Sequence, residues 1–268
     1  MRHRRQVLGA LVGTLLLFSG AVQAQQASRL LSLTLPAGPG PHPAVILLHG
    51  CSGILDNQPM WQQFLRDRGY ASANVDSFTL RRVSEICTDF TRVRMPDRVR
   101  DAYDALVEMA DRPDIDAQRI AVMGFSNGGV ATLAALTRAV ESQLMPGSPR
   151  FRAGVAVYPD CALTSPRFYA PILTLIGELD DWTPAAECVT LGQKIAPGRP
   201  AFTTNVLPKA HHAFDNLNQP YHYDGNARNL HKHNGYGATV EGNRPATELA
   251  RQAVEIFLKQ ALVPAEGH

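Results

Sequence analysis

The chain has 268 residues, of which 45% are hydrophobic and 19% are charged. This composition is typical of an ordered globular protein and excludes a disordered or fibrous one. The formal net charge is +2, but three basic residues lie in the first 24 positions, and the rest of the chain carries one more acidic than basic side chain. This balance gives no electrostatic reason to expect a nucleic acid partner.

The first 24 residues have the pattern of an export signal. Three arginines within the first five positions precede an apolar run from Val7 to Phe18, and small residues follow up to Ala24. A membrane anchor is less favoured, because the run is shorter than the roughly 20 residues of a spanning helix. No later segment is apolar enough to span a bilayer. We predict a signal peptide over residues 1–24, exported by the Sec or the twin-arginine route, and a periplasmic or secreted domain over residues 25–268.

Short apolar runs recur along the rest of the chain and alternate with helical patterns, without a repeat or a long linker. Several runs are apolar throughout, as strands of a buried parallel sheet are. The predicted strands are Leu30–Leu35, Ala44–Leu48, Ala71–Val75, Ile120–Met123, Ala153–Val157, Ile172–Ile176 and Phe202–Leu207. This alternation predicts a single-domain α/β fold with a mostly parallel central sheet and helices on both faces.

Two segments show the spacing of helices that pack one face on a sheet. The first has its apolar positions at Val99, Tyr103, Leu106 and Ala110. The second is the terminal run from Thr247 to Leu262. By contrast, the segment from Asn216 to Arg244 is polar, rich in Asn, Gly, His and Tyr, and almost without aliphatic residues. It is predicted to be a long surface loop.

A string of small residues follows the fourth predicted strand. Gly124, Ser126 and Gly128 form the pattern G-x-S-x-G, and a helical pattern begins at Val130. This is the setting of a nucleophile elbow, a sharp strand-to-helix turn that exposes a serine and leaves room only for small neighbours. A dinucleotide-binding loop is less favoured because G-x-G-x-x-G is absent. Ser126 is therefore the predicted nucleophile.

A serine nucleophile needs a base, and the base needs a carboxylate to orient it. An acidic turn with Asp180 and Asp181 follows the sixth predicted strand, and His211 and His212 follow the seventh. The order serine, acid, histidine is the one expected after a nucleophile elbow. Because parallel strands place their carboxyl ends at one edge of the sheet, these loops should meet the serine there.

Two backbone N–H groups are expected to stabilise the negative charge that develops during attack on a carbonyl. One belongs to Asn127, at the start of the helix after the serine. The other is expected in the string from His49 to Gly53, which follows the second predicted strand, and Cys51 is the candidate. His49 is a rival for the role of base, but a histidine before a glycine at this place more often supports the loop.

The part of the chain after the signal contains four cysteines, Cys51, Cys87, Cys161 and Cys188. An even number favours disulfides in an oxidising compartment, but the spacing leaves all three possible pairings open. Structural zinc is less favoured, because no two of them lie within a C-x2-4-C spacing. A cysteine nucleophile is also less favoured, because Cys51 lacks an elbow setting.

With these motifs the chain resembles the dienelactone hydrolase family of the α/β-hydrolase fold over nearly all of residues 25–268. The acid motif of that family, G-x-x-D-x-x-x-P, falls on Gly177, Asp180 and Pro184. Its histidine is typically followed by a small residue and Phe, as His212 is. The resemblance therefore implies that Asp180 and His212 complete the triad, rather than their neighbours.

The chain departs from this family at two places. The enzymes that give the family its name have cysteine where this chain has Ser126, and nothing around His49 matches their glutamate. The resemblance thus implies ester or lactone hydrolysis rather than dienelactone itself as substrate. By analogy with arginines that hold a substrate carboxylate in those enzymes, Arg81 or Arg82 is a candidate contact. The resemblance also implies two disulfide pairs, Cys51 with Cys87 and Cys161 with Cys188.

Together these motifs predict an exported serine hydrolase that cleaves ester or lactone bonds of a small molecule through an acyl-enzyme, with no cofactor and no metal. Trp182 and Phe214 adjoin the predicted triad and are expected to line the substrate pocket. His222, His231 and His233 suggest a metal site, but solvated loop histidines are the favoured interpretation. A noncatalytic binding protein on the same fold, and a peptidase or acyltransferase with the same triad, are the alternatives.

Overall fold

The computed structural model describes residues 31–196 and 200–262, so the predicted signal peptide lies outside the described residues. Seven strands form one sheet: β1 (Leu31–Thr34), β2 (His42–Leu48), β3 (Ala71–Val75), β4 (Ile115–Phe125), β5 (Ala153–Val157), β6 (Ile172–Gly177) and β7 (Phe202–Leu207). Their order is β1-β3-β2-β4-β5-β6-β7. Strand β1 is antiparallel to β3, and the other neighbours are parallel.

The helices are α1 (Asn57–Arg66), α2 (Met95–Ala110), α3 (Asn127–Ala135), α4 (Arg138–Glu141), α5 (Ala185–Gln193) and α6 (Arg244–Ala261). The sequence sets the start of α6, because the side chain of Asn243 accepts a hydrogen bond from the N–H of Ala246 over 3.0 Å. Strands β3 and β5 are buried at every position. The predicted α/β fold with a mostly parallel sheet is confirmed.

The prediction of a long loop from Asn216 to Arg244 is wrong. The segment contains an antiparallel hairpin of two strands, β8 (His222–Arg228) and β9 (Tyr236–Val240). The hairpin lies apart from the main sheet, and much of it faces solvent. Its fully buried apolar residues include Ala227 and Ala238, which are too small to give an aliphatic pattern in the sequence.

Hydrogen bonds hold the hairpin against the loops at the carboxyl edge of the sheet. The N–H of Arg228 donates to the carbonyl of Cys87 over 2.9 Å, and its own carbonyl accepts from the indole of Trp182 over 2.8 Å. In β9 the N–H of Thr239 donates to the carboxylate of Asp181 over 2.8 Å. The hairpin therefore forms one wall of the region where the predicted catalytic loops end.

Two disulfides lie near the same edge of the sheet. Cys51 is bonded to Cys87, and Cys161 to Cys188, with 4.9 Å between the Cα atoms of each pair. These are the pairs that the family resemblance implied. The first bridge joins the loop after β2 to the segment after β3, and the second joins the loop after β5 to α5. Among the helices of the described residues, none combines the length and the apolar character that crossing a membrane requires.

Candidate active site

Ser126 lies in a strained turn between β4 and α3. Its backbone φ is 53° and its ψ is −117°, a region that non-glycine residues seldom occupy. The turn is tight: a Cβ atom at Gly124 would overlap the carbonyl of Gly128, and one at Gly128 would overlap the carbonyl of Leu48. The strand-to-helix turn thus has the geometry of an elbow that holds a serine hydroxyl away from the backbone.

The fold brings Ser126, His212 and Asp180 into one hydrogen-bonded chain. The Oγ of Ser126 lies 2.9 Å from Nε2 of His212, and Nδ1 of His212 lies 2.8 Å from a carboxylate oxygen of Asp180. Both His212 and Asp180 are buried. With Nδ1–H donating to the carboxylate, Nε2 is free to accept the hydroxyl proton of the serine.

The turn after β6 fixes the carboxylate of Asp180. One oxygen accepts from the N–H groups of Trp182 and Thr183, over 3.0 and 2.8 Å. The other accepts from the hydroxyl of Thr183 over 3.0 Å as well as from His212. These contacts fix the carboxylate that accepts from the imidazole.

The neighbouring candidates face away from the serine. Asp181 accepts a hydrogen bond from Thr239 and forms an ion pair with Lys232 at 3.1 Å, so it anchors the hairpin. The Nδ1 of His211 lies 3.1 Å from the carbonyl of Leu179. The contacts thus distinguish Asp181 from Asp180 and His211 from His212.

The N–H groups of Cys51 and Asn127 lie on the loop after β2 and at the start of α3. Neither N–H group donates a hydrogen bond to the protein within residues 31–196 and 200–262. Both residues border the same cavity as Ser126. Two unpaired donors next to a serine hydroxyl are the arrangement that stabilises an oxyanion.

Arg98, on α2, connects the two segments that carry these donors, and the sequence analysis missed it. Its guanidinium donates to the carbonyl of His49 over 2.6 Å and to the side-chain oxygen of Asn127 over 2.9 Å. The side chain is 1% exposed, and burial lowers the pKa of Arg98 to about 10. The group remains charged at neutral pH and is hydrogen-bonded to both segments that carry the unpaired N–H groups.

His49 supports the loop in which it lies. Its Nδ1–H donates to the carbonyl of Gly50 over 2.8 Å, and its Nε2 accepts from the N–H of Ser77 over 3.2 Å. Burial, and then the charge of Arg98, lower the pKa of His49 to about 3. The ring is therefore neutral near pH 7, with both nitrogens engaged, and it is not placed to deprotonate Ser126.

A buried hydrogen-bond network around Asp215, which the sequence did not predict, lies next to His212. Asp215 is fully buried and accepts hydrogen bonds from the hydroxyl of Tyr158 and the indole of Trp61, both over 2.7 Å, and from Asn57 over 3.1 Å. The ring of Tyr158 lies 4.6 Å from that of His212. Burial raises the pKa of Asp215, and its three donors stabilise the carboxylate. Through the ring of Tyr158, this network packs against the imidazole of His212.

Two cavities of the described structure meet at Ser126. The larger, here called the apolar cavity, has a volume of about 410 Å³ and walls that include Phe90, Val93, Val130, Leu163, Trp182 and Leu230. The smaller, here called the polar cavity, has a volume of about 210 Å³ and walls that include Ser52, Asn57, Asn216, Gln219, His222 and Asp224. Trp182 borders both cavities. Trp182, one of the predicted pocket residues, therefore forms part of the wall of both cavities that border Ser126.

Two of the predicted substrate contacts, Phe214 and Arg81, lie away from both cavities. Phe214 is fully buried, packs against the ring of Tyr158 at 5.3 Å and borders neither cavity. Arg81 also borders neither cavity, and its guanidinium donates to both carboxylate oxygens of Asp101, over 2.7 and 2.8 Å. Phe214 belongs to the core, and Arg81 belongs to a partly buried ion pair.

The histidines considered for a metal site lie in different surroundings. His222 borders the polar cavity, whereas Nε2 of His231 lies 3.2 Å from the carboxylate of Asp160 at the apolar cavity. In the described part of the chain, no group of three or more His, Cys, Asp or Glu side chains is arranged to hold a metal ion.

Comparison with solved structures shows the same fold in several hydrolases. Dienelactone hydrolase from Anabaena variabilis is 18% identical, with a TM-score of 0.62 over 87% of this chain and 92% of that one. Esterase 2 from Thermogutta terrifontis, in a structure phosphorylated by paraoxon, is 16% identical, with a TM-score of 0.63 over 88% of this chain and 90% of that one. The same esterase with propionate bound is 14% identical, with a TM-score of 0.61 over 88% and 91%.

No protein of curated function matches the chain in sequence. The model of the dienelactone hydrolase family matches residues 32–261, which include the elbow, the acid turn, the histidine loop and the hairpin. The chain therefore belongs to the dienelactone hydrolase family and is a hydrolase that acts on ester bonds.

Proposed function

We propose that the protein is an exported serine hydrolase that cleaves carboxylic ester or lactone bonds through an acyl-enzyme intermediate. The observation that carries the proposal is the chain of hydrogen bonds from Ser126 through His212 to Asp180, over 2.9 and 2.8 Å, at a strained elbow. A strained serine next to a buried, oriented imidazole is the arrangement of an activated nucleophile.

In this mechanism Nε2 of His212 takes the hydroxyl proton as the Oγ of Ser126 attacks the ester carbonyl. The oxyanion that forms accepts hydrogen bonds from the N–H groups of Cys51 and Asn127. The carboxylate of Asp180 stabilises the imidazolium. His212 then gives its proton to the leaving oxygen, and a water molecule, deprotonated by the same imidazole, releases the acid from Ser126.

Labelling with an organophosphate tests the nucleophile. Paraoxon should add one diethyl phosphoryl group to the protein, and peptide mapping should place it on Ser126, because only an activated hydroxyl displaces the nitrophenolate quickly. The phosphorylated esterase of Thermogutta terrifontis supports this choice of reagent. In a His212→Gln variant the rate of labelling should fall by about 10²-fold or more, since the base is lost.

A label on another residue, or equal labelling of the His212→Gln variant, would contradict the proposed mechanism. Mass spectrometry of the intact protein and of its peptides measures both outcomes.

Export is the second part of the proposal. It is supported by the signal pattern of residues 1–24 and by the two disulfides, since disulfides persist mainly in oxidising compartments. In a Gram-negative host, the full chain should be recovered from the periplasm with Gln25 as its first residue. A Leu16→Asp variant, which interrupts the apolar run, should stay uncleaved in the cytoplasm. Recovery of uncleaved wild-type chain from the cytoplasm alone would contradict export.

A further inference from the structure

The two cavities give the proposed site a direction. Ser126 borders both cavities, but His212 borders only the polar one, and Asn127 borders only the apolar one. The nucleophile thus lies at the junction, with its base on one side and a proposed oxyanion donor on the other. An ester bound at Ser126 would have its acyl group in one cavity and its alcohol part in the other.

The position of His212 determines which cavity receives the alcohol part of the ester and which receives the acyl group. After attack, the imidazolium must donate its proton to the oxygen of the departing alcohol. That oxygen has to approach Nε2 of His212, and His212 borders the polar cavity but not the apolar one. The alcohol therefore leaves through the polar cavity, while the acyl group bonded to Ser126 extends into the apolar cavity.

The charged groups around the apolar cavity are engaged with other side chains. Arg94 is paired with Asp97 at 3.3 Å, and Asp160 lies 3.2 Å from His231. The guanidinium of Arg228 lies over the ring of Tyr236, 5.1 Å from its centroid. The remaining surface is dominated by aliphatic and aromatic side chains, namely Phe90, Val93, Val130, Leu163, Trp182 and Leu230. These walls suit a hydrocarbon acyl chain, whose transfer from water is favourable.

The wall of the polar cavity also contains apolar side chains, but polar groups form a larger share of it than of the apolar cavity. The side chains of Asn216 and His222 border it and form no hydrogen bond with another group of the described residues. Gln219 and Asp224 add further donors and acceptors to the same wall. Its volume is about 210 Å³, half that of the apolar cavity. A small alcohol with several hydroxyl groups matches both its size and its hydrogen-bonding groups.

We propose that the site selects esters in one orientation, with an apolar acyl chain in the apolar cavity and a small polyol as the leaving alcohol in the polar cavity. This inference rests on the proposed function. The ester C–O bond breaks as the bond from Ser126 to the acyl carbon forms, and the serine proton passes through His212 to the alcohol. Water then yields the carboxylic acid and the free serine.

A pair of isomeric esters tests the orientation. The compounds 1-glyceryl octanoate and octyl glycerate have the same atoms, but the apolar chain is the acyl part of the first and the alcohol of the second. After division by the rates of hydroxide-catalysed hydrolysis, kcat/KM should be about tenfold or more higher for 1-glyceryl octanoate, since an apolar pocket discriminates this strongly per methylene group.

Variants assign the preference to the two cavities. Leu230→Gln should lower kcat/KM for 1-glyceryl octanoate by about tenfold and leave glyceryl acetate unchanged, because the short acyl group does not reach this wall. Asn216→Leu should lower kcat/KM for glyceryl esters and leave that for methyl octanoate unchanged. Leu249→Gln, at an exposed position of α6 away from both cavities, is the matched control and should change neither value.

An equal or inverted preference between the isomers, in a protein that paraoxon still labels at Ser126, would overturn the orientation and leave the proposed function standing. A Leu230→Gln variant in which kcat/KM falls by the same factor for both isomers would also overturn the orientation. Failure to hydrolyse either ester, together with no label on Ser126, would overturn the proposed function and the orientation with it.

Discussion

The Ser126→Ala variant should lose at least about 10⁴-fold in kcat/KM for p-nitrophenyl acetate, because no other group can form the acyl-enzyme. The Oγ of Ser126 hydrogen-bonds to Nε2 of His212, and the strained backbone does not depend on the hydroxyl. The melting temperature should therefore stay within a few degrees of the wild-type value. Initial rates and thermal unfolding of the purified variant measure the two effects separately.

The control for this variant is Ser142→Ala, at an exposed serine that follows α4. It should keep wild-type activity. If Ser126→Ala retains activity within tenfold of the wild-type enzyme, another nucleophile carries the reaction, and the proposed mechanism is wrong.

The Arg98→Met variant should lose about 10²-fold in kcat, comparable to the loss of one oxyanion donor in other hydrolases. Methionine fills much of the same space but donates no hydrogen bond, so the carbonyl of His49 and the amide oxygen of Asn127 lose their partner. The loop with Cys51 and the start of α3 would then move independently. The positive charge that contacts both segments with the oxyanion donors would be lost as well.

The measurements must distinguish positioning from a general loss of stability. We expect kcat to fall while KM changes by less than about threefold, since the interaction strengthens in the transition state. Arg98→Lys, which keeps the charge, should recover part of kcat, and Arg100→Met on the same helix should behave as wild type. A lower melting temperature with unchanged kcat would show that Arg98 serves only the fold.

Strands were the part of the fold that the sequence predicted best. The bounds predicted for β3 and β5 agree with the structure, because both strands are buried on both faces and contain no charged residue. Strand β4 starts earlier than predicted, at Ile115. Its first half contains polar residues and is only partly buried, so an apolar pattern appears only from Ile120.

Helix α1 could not be predicted from apolar spacing, because its buried side carries Asn57, Gln58 and Gln62. Gln58 donates to Asn74 over 3.1 Å, and Asn74 donates to Gln62 over 2.7 Å. These side chains satisfy one another only after folding, and in the sequence they resemble surface residues. Because of this buried polar network, the sequence of α1 lacks the apolar spacing that predicts a helix packed on a sheet.

Arg98 was missed because the face of α2 was predicted one residue away from its true position. The buried positions of this helix are Arg98, Asp101, Ala102, Ala105, Leu106 and Met109. Arg98 has the helical spacing of this face, but an arginine is almost never expected inside without a carboxylate partner. Its partners, the carbonyl of His49 and the side chain of Asn127, come from other segments and are known only from the fold.

The three side chains of the proposed triad were easier to locate, because each follows a parallel strand and the carboxyl ends of these strands share one edge. The surroundings of that edge were not predictable in the same way. Phe214 adjoins His212 in sequence but points into the core, and Leu230 is distant in sequence but borders the apolar cavity. Proximity along the chain therefore says little about which side chains meet a substrate.

The hairpin of β8 and β9 leaves the domain and returns to it at one place, where the N–H of Gly242 donates to the carbonyl of Gln219 over 2.8 Å. A segment with adjoining ends can be lengthened, shortened or exchanged while the sheet keeps its position. His222 and Leu230 in this segment border different cavities. Insertions and deletions in this segment can therefore change which substrates the cavities bind during evolution, while the residues proposed to cleave the ester bond stay the same.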